Sequence, residues 1–289
     1  MLLFKRVESL KAYLDARRRE GARIGFVPTM GALHAGHLAL VAASKNQTDC
    51  TVCSIFVNPT QFNEASDFAS YPRTPAQDVQ KLLEGGCEVL FFPFEEEVYP
   101  PGMPQEPVPD LEGLDARMEG AFRPGHFQGV AQVVLRLLRI VQPHALFMGQ
   151  KDFQQLAIVR HLVRAKGLPV EVVGVPTVRE EDGLALSSRN VLLRPEERSR
   201  APEIYRTLCL AREWLTRLPV PEVEKKALAR LRAIPGFEPE YFEIVDGATL
   251  QPIRNLFEAS SVVACTAVRV GRTRLIDNLP LREGEAATP

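Results

Sequence analysis

The sequence predicts an α/β fold, in which a parallel sheet wrapped by helices is followed by a smaller α+β domain. Up to about residue 175, short apolar runs alternate with amphipathic segments, as in a parallel sheet with connecting helices. Beyond that point two helical segments come first and strand-like runs follow them. A chain of 289 residues is long enough for two ordinary domains. We therefore predict domains over residues 1–176 and 177–289, with a hinge near 176–182.

Five strands are predicted in the first domain from short apolar runs bounded by turn-forming residues. They cover residues 24–27, 51–57, 88–92, 145–148 and 170–175. One helix is expected to begin near residue 36, and three others are expected over residues 75–85, 129–141 and 153–165. The helix over 129–141 carries valine and leucine at helical spacing. Residues 93–109 include six prolines and are expected to form an irregular surface loop.

The second domain is predicted from the change in the order of its elements. Helices are expected near residues 195–217 and 221–233, and strands over residues 241–245, 261–270 and 273–277. The polar residues 283–289 are expected to fray.

Charge and cysteine content restrict the classes of partner. A net charge of -1 and a pI near 6.6 provide no long-range attraction for nucleic acids or anionic lipids, so we expect neither as a partner. No apolar run has the length of a membrane span, and the N-terminal residues lack a signal-peptide pattern. The five cysteines have no disulfide-scaffold spacing. These features predict a cytoplasmic protein with reduced thiols.

Residues 30–37 carry the most informative motif, at the junction of a predicted strand and a predicted helix. They include Gly31 and Gly36, and His34 and His37, which are three residues apart. The first turn of a helix has backbone N–H groups that suit phosphate oxygens. Glycine lets the backbone approach a ligand closely, and imidazoles add directed donors. We predict a nucleotide-phosphate site here.

Two other interpretations of the histidine pair stay open. The side chains could cap the helix without any ligand. They could also bind zinc, although no cysteine cluster or His-Glu pair stands nearby to complete the coordination.

Polar residues follow two further predicted strands at their carboxyl ends, where open parallel sheets bind ligands. Asn58 and Gln61 can each donate and accept, which suits a substrate with hydroxyl and carboxylate groups; a simple capped turn is the alternative. After the strand over 145–148, Lys151 can contact a phosphate and Asp152 can accept from ribose hydroxyls.

Two loop segments complete the candidates. Ser187, Ser188 and Arg189 follow the predicted hinge and offer hydroxyl and guanidinium donors to phosphate oxygens. Arg123 and His126 precede the apolar helix, where they either face a pocket or only turn the chain.

Taken together, these stretches resemble the pantothenate synthetase family. The matching segments follow one another in the family's order over most of the first two-thirds of the chain, at residues 28–37, 58–62, 71–74, 123–127, 149–155, 175–179 and 187–190. The last third matches in general character only. The His-x-Gly-His and Ser-Ser-Arg elements are also similar to the two signatures of the nucleotidyl-transferase superfamily.

The resemblance implies a Rossmann-like first domain, a C-terminal lid domain and a homodimer. It implies that (R)-pantoate and β-alanine are condensed to pantothenate through a pantoyl-adenylate. ATP would be consumed with Mg²⁺, and AMP and pyrophosphate would be released.

The same resemblance assigns the site residues. His37, His34 and Lys151 would carry the catalysis through contacts to the phosphates. The residues assigned to ATP are Met30, Gly31, His34, Gly36, His37, Gly149, Gln150, Lys151, Asp152, Val178, Leu186, Ser187, Ser188 and Arg189. Leu186 stands where family members commonly have methionine.

The remaining assignments concern the other substrates and the metal. Gln61 and Gln155 would bind pantoate, and Gln61 with Tyr71 would bind β-alanine. Asp78 is the candidate magnesium ligand, and its neighbour Gln77 stands where family members can carry a second acid.

Two other functions fit the residues less well. A nucleotidyl-transferase acting on a phosphorylated acceptor would favour arginine or lysine in place of Gln61 and Gln155. A nucleotide-sensing or RNA-binding module is disfavoured by the near-neutral net charge.

Overall fold

Two units make up the part of the chain described by the computed structural model, which covers residues 1–62, 68–69 and 71–282. The first unit comprises residues 1–115, 123–149 and 158–176. The second unit comprises residues 116–122, 150–157 and the chain from 177 onward. Two short segments therefore belong to the second unit although they precede residue 177. The tail over 283–289, predicted to fray, lies outside the described residues.

A six-stranded parallel sheet forms the centre of the first unit and confirms the predicted fold class. The strands are β1 (Leu2–Phe4), β2 (Ile24–Thr29), β3 (Cys50–Ile55), β4 (Val89–Phe91), β5 (Ala145–Gly149) and β6 (Glu171–Val175). Their order in the sheet is β1-β4-β3-β2-β5-β6. The five predicted strands are all present, with ends shifted by no more than two residues. Strand β1 was not predicted, because three partly exposed residues at an edge give no buried run.

Helices connect these strands. They are α1 (Val7–Arg19), α2 (Ala35–Gln47), α3 (Pro75–Glu84), α4 (Glu95–Val98), α6 (His126–Val141) and α7 (Phe153–Ala165). The short α5 (Glu119–Phe122) and the first five residues of α7 belong to the second unit. The expectation of a wholly irregular segment over 93–109 was wrong at α4. Three glutamates fill the first turn of α4, where the helix dipole favours negative charge. Helix α6 begins three residues before the predicted start.

The carboxyl ends of β2 and β5 are not paired with each other. The β2–β5 ladder includes Gly25 and Phe26 and stops there, although β2 continues to Thr29. Pro28 stands beyond the paired stretch, so its missing N–H removes no hydrogen bond between β2 and β5. The chain order also reverses between β2 and β5, and such a switch point is where open α/β sheets bind ligands.

The second unit contains a three-stranded antiparallel sheet, as an α+β domain requires. The strands are β7 (Phe237–Asp246), β8 (Val262–Val270) and β9 (Thr273–Arg282), in that order across the sheet. The helices are α8 (Pro195–Arg200), α9 (Glu203–Trp214) and α10 (Val220–Arg232). The predicted helical segment over 195–217 is divided before Glu203, at Pro202, which has no N–H to continue the helix. None of the helices in the described part of the chain combines the length and the apolar character of a membrane span.

Each unit has its own apolar core. In the first, side chains of the sheet pack with those of α2 and α3, and Val27, Val41 and Leu82 are fully buried. In the second, helices α9 and α10 pack on the antiparallel sheet, and Leu208, Val223 and Ile244 are fully buried. Apolar burial of this kind is the main source of stability in both units.

Candidate functional site

The loop between β2 and α2 is held in place by Asp78 of helix α3. Gly31 and Ala32 both have positive φ, +84° and +49°, so the chain turns sharply after Met30. The Asp78 carboxylate accepts hydrogen bonds from the backbone N–H groups of Ala32 at 3.0 Å and Leu33 at 2.8 Å. Asp78 is 1% exposed. Its buried charge therefore fixes the loop that presents the histidines.

The two histidines form the N-terminal cap of α2. The backbone N–H of Gly36 donates to Nδ1 of His34 at 3.1 Å, and the N–H of His34 donates to Nδ1 of His37 at 3.2 Å. The ring centroids are 4.1 Å apart. Since each Nδ1 is an acceptor, each neutral imidazole carries its proton on Nε2.

This cap changes the predicted picture of the helix start. The sequence suggested first-turn N–H groups open to a phosphate, whereas those of Gly36 and His37 already donate to His34. The capping interpretation therefore describes the geometry correctly. These two backbone N–H groups are therefore engaged within the helix cap.

Gln61 is connected to the histidine loop through Met30. Its Nε2 lies 2.9 Å from the Met30 sulfur, and its Oε1 accepts from Asn58 Nδ2 at 3.3 Å. Asn58 also accepts from the Tyr99 hydroxyl at 3.1 Å. Burial raises the pKa of Tyr99 to about 12, so its phenol stays protonated as a donor at neutral pH. The residues that follow β2 and β3 are thus joined by contacts between uncharged side chains.

Helix α6 supports the turn that carries Gln61. Nδ1 of the buried His126 lies 2.9 Å from the Gln61 carbonyl oxygen, and Arg123 contacts His126 Nε2 at 3.1 Å. An arginine only donates, so His126 accepts at Nε2 and donates from Nδ1. A Cβ on Gly129 would lie 2.8 Å from the Gln61 Cα, closer than real Cβ contacts. These residues act as a support for Gln61.

Tyr71 lies beside the same turn. Its ring meets the ring of Phe62, the residue after Gln61, edge-on with centroids 5.7 Å apart. Of the two residues that the resemblance assigned to β-alanine, Tyr71 thus contacts the chain neighbour of the other, Gln61.

Lys151 and its neighbours form a short turn in the second unit, immediately after Gly149 ends β5. The Lys151 Nζ lies 3.3 Å from the Asp152 carboxylate. The side-chain amide of Asn278 donates to the carbonyls of Gln150 at 2.9 Å and Lys151 at 2.8 Å. Gln155 is half-buried in the first turn of α7. Sequence reasoning missed Asn278, because nothing in its local sequence connects strand β9 to residue 151.

The segment over 178–189 forms a hairpin that ends at the two serines. The N–H of Leu186 donates to the Val178 carbonyl at 3.0 Å, and an isolated bridge joins Arg179 to Ala185. At its end, the Arg189 N–H donates to the Ser187 hydroxyl at 3.2 Å. The predicted nucleoside residue Val178 and the predicted phosphate residues are thus parts of one element.

No group of three or more His, Cys, Asp or Glu side chains suited to a metal ion occurs in the described ranges. The histidine pair therefore does not belong to such a group. Asp78 accepts from Thr74 Oγ1 at 3.1 Å in addition to the two backbone groups. Hydrogen-bond donors thus face the carboxylate that was predicted to bind magnesium.

Comparison with known proteins gives a consistent result. The family model described as pantoate-beta-alanine ligase matches residues 2–280. A pantothenate synthetase of Bacteroides fragilis is 48% identical over 283 residues, which are 98% of this chain and 100% of that protein. The crystal structure of pantothenate synthetase from Thermus thermophilus has a TM-score of 0.90 at 46% identity, covering 98% of this chain and 100% of that one.

A second solved structure was determined with ligands. It is a pantoate-beta-alanine ligase from Francisella tularensis, complexed with beta-gamma ATP and beta-alanine. It has a TM-score of 0.77 at 34% identity, and the match covers 98% of this chain and 99% of that one.

Proposed function

The chain belongs to the pantoate-beta-alanine ligase family, and from that premise we propose how its residues perform the ATP-dependent ligation. The substrates are pantoate, β-alanine and ATP, and the product is pantothenate. We infer a route through a pantoyl-adenylate, with AMP and pyrophosphate as the other products. The residue assignments below are part of this proposal.

The reaction requires two substitutions. First, a pantoate carboxylate oxygen attacks the α-phosphorus of ATP, and the bond from that phosphorus to the bridging oxygen breaks to release pyrophosphate. Second, the uncharged amine of β-alanine attacks the acyl carbon, the bond from carbon to the AMP oxygen breaks, and the amine loses a proton. No enzyme nucleophile is needed, so the protein contributes positioning and charge stabilisation.

We assign the developing phosphate charge to the two imidazoles of the first unit. His34 and His37 have Nδ1 engaged by backbone N–H groups, which leaves the proton on Nε2 as the donor in the neutral ring. His37 carries the main contact, and the backbone of Met30, Gly31 and Gly36 approaches the nucleotide.

The second unit contributes the other ATP contacts. Lys151, Ser187, Ser188 and Arg189 donate to phosphate oxygens. We assign the nucleoside contacts to Gly149 at the end of β5, to two residues of the Lys151 turn and to two residues of the hairpin. The turn residues are Gln150 and Asp152, and the hairpin residues are Val178 and Leu186.

Pantoate and β-alanine are assigned to uncharged side chains. Gln61 and Gln155 orient the pantoate hydroxyl and carboxylate, because amides donate and accept at once. Gln61 and Tyr71 contact β-alanine. The described residues include no evident dedicated base for the amine, so His37 or water receives its proton.

Magnesium is expected with ATP, but the residue predicted to bind it does not fit that role. The Asp78 carboxylate faces donors from Ala32, Leu33 and Thr74, whereas a cation needs oxygen lone pairs directed at it. Magnesium commonly binds through substrate phosphates with few protein ligands. We therefore assign no step to a protein-bound metal.

Three broader properties remain proposals: a homodimer, closure of the C-terminal domain as a lid, and a cytoplasmic location. All five cysteines are free thiols, which agrees with a reducing compartment. Sedimentation tests the dimer. Small-angle scattering with and without an ATP analogue tests the lid, and an unchanged curve would contradict it.

One observation carries the assignment of the site most directly, the contact between Gln61 and Met30 that joins the proposed pantoate residue to the histidine loop. The experiment uses purified protein and isotope exchange. Exchange of labelled pyrophosphate into ATP should require pantoate and should proceed without β-alanine. The complete mixture should yield pantothenate and AMP in equal amounts. Formation of ADP, or exchange without pantoate, would contradict the adenylate route.

A further inference from the structure

Asn278 of strand β9 supports the turn that carries Lys151. Its side-chain amide donates to two successive carbonyls, those of Gln150 and Lys151, at 2.9 and 2.8 Å. Asn278 is 2% exposed, so solvent does not compete for these hydrogen bonds. A single amide thereby fixes the two peptide groups that flank the Lys151 Cα.

The preceding residue, Asp277, supports the 178–189 hairpin. Its carboxylate receives two hydrogen bonds from the Arg179 guanidinium, at 2.7 and 2.9 Å. Asp277 is 4% exposed. Such a bidentate pair fixes orientation as well as distance.

The Arg179 guanidinium is largely engaged within the protein. Its guanidinium also donates to the Gly183 carbonyl at 3.1 Å and the Asn278 carbonyl at 3.2 Å, and it lies 3.7 Å from the centroid of the Tyr205 ring. A guanidinium with these partners has little capacity left for a phosphate. Arg179 therefore connects the hairpin to strand β9.

The two contacts arise from one feature of strand geometry. Successive side chains of a strand point to opposite faces. Asp277 and Asn278 can therefore reach two different segments from adjacent positions. The Asn278 N–H also donates to Asp277 Oδ1 at 2.8 Å, which joins the two supports.

We propose that Asp277 and Asn278 are positioning residues for ATP. They hold the Lys151 turn and the 178–189 hairpin in fixed positions relative to strand β9. The inference rests on the proposed function, which assigns ATP contacts to these two segments. Neither residue is assigned to touch ATP. Their effect on the reaction passes through the backbone of Lys151 and through Arg179.

Asn278→Leu tests the inference, because leucine has a similar size and no donor. Displacement of a binding group by about 1 Å can cost on the order of 10²-fold in rate. We expect kcat/KM for ATP to fall by about that factor, with a higher KM for ATP and an unchanged KM for β-alanine. A variant that merely unfolds in part would lose kcat in proportion to the unfolded fraction and would keep the wild-type KM for ATP.

Thr266→Val is the matched control. Thr266 is fully buried, pairs with Asp277 across the β8–β9 ladder, and donates from Oγ1 to the Tyr241 carbonyl at 2.8 Å. Its substitution also removes a buried hydrogen bond from a side chain to the backbone. That hydrogen bond involves neither the Lys151 turn nor the 178–189 hairpin. Equal ATP kinetics in the two variants would overturn the inference.

Two further variants keep the test decisive. If Asn278→Leu does not fold, Asp277→Asn replaces it, since it keeps the shape and loses the charge; an unchanged KM for ATP there would also overturn the inference. Lys151→Ala tests the underlying assignment separately. If Lys151→Ala has normal ATP kinetics, the proposed site is wrong; if it is impaired while the β9 variants are normal, only the positioning role fails.

Discussion

The Asp78 carboxylate lies 2.8 Å from the backbone nitrogen of Leu33, the residue before His34. A second hydrogen bond, to Ala32, makes the contact a two-point support for a loop with two successive positive φ angles. Asp78 is therefore an anchor for the histidine pair. A buried carboxylate with charge-assisted hydrogen bonds is a stronger constraint than a neutral group would be.

Asp78→Asn should reduce both stability and ATP use. The amide keeps only one acceptor oxygen and turns an NH₂ group toward a backbone donor, which leaves a buried N–H without an acceptor. Such a loss costs about 1–3 kcal/mol in the free energy of unfolding. Urea denaturation measures the loss, and steady-state kinetics should show a raised KM for ATP.

Asp15→Asn is the control for that substitution, because Asp15 is exposed and forms a surface ion pair with Arg18. Surface pairs contribute about 0–1 kcal/mol. The concentration of Mg²⁺ for half-maximal activity should be the same in wild type and Asp78→Asn. A large increase in that concentration at unchanged stability would restore Asp78 as a metal ligand.

His37→Ala should fold normally and lose pyrophosphate exchange by about a hundredfold or more, since loss of one donor to developing charge costs about 2.7–4 kcal/mol in the barrier. His37→Gln should retain part of the activity, because its amide can donate. His144→Ala is the matched control: His144 Nδ1 also accepts from a backbone N–H, that of Ile24 at 2.9 Å. Near-normal exchange in His37→Ala would show that the phosphates lie elsewhere.

Five strands of the first unit, β2 to β6, were predictable because buried parallel strands are continuous apolar runs. The division of the 195–217 segment was missed because the helical pattern continues on both sides of Pro202. Predicted boundaries were also short for β7 and β9, whose polar residues alternate along strands that extend beyond the apolar runs.

The candidate site was predictable in part for a similar reason. Residue types that follow strand ends can be read locally, and they made His37, Gln61 and Lys151 candidates. The supports cannot be read this way: Asp78 is 45 residues from Leu33, and Asn278 is 127 residues from Lys151. Long-range hydrogen bonds leave no periodic or spacing signal in one sequence. The self-capping of α2 stayed an open alternative at the level of sequence, because it depends on side-chain direction.

Stability should fall at alkaline pH partly through Tyr99. Burial raises its pKa from 10.0 to about 12. Below pH 10 the phenol is protonated in both the folded and the unfolded chain, and its full contribution to stability is present. Between pH 10 and 12 the unfolded chain releases the proton while the folded chain retains it, so rising pH favours unfolding. Two pKa units correspond to about 2.7 kcal/mol.

Tyr99→Phe isolates that contribution. At neutral pH the variant should lose about 0.5–1.5 kcal/mol with the hydrogen bond to Asn58. Between pH 10 and 12 the free energy of unfolding of the variant should decline less steeply with pH than that of wild type. The difference in slope corresponds to the release of up to one proton on unfolding. Cys87, with a pKa raised by burial to about 11, titrates in both proteins and cancels in the comparison. Identical slopes in urea denaturation across this range would contradict the assignment.

Gly129→Ala should damage pantoate binding from a position without a functional group. The added Cβ would meet the Thr60 carbonyl oxygen and the Gln61 Cα, so the turn that carries Gln61 must shift. In an uncrowded helix, Gly→Ala raises stability by about 1 kcal/mol. Here we expect a loss of stability instead, because overpacking costs about 1–3 kcal/mol. We also expect a raised KM for pantoate. Thermal unfolding and pantoate kinetics measure both effects. A stabilised variant with normal pantoate kinetics would show that the contact between α6 and this turn does not position Gln61.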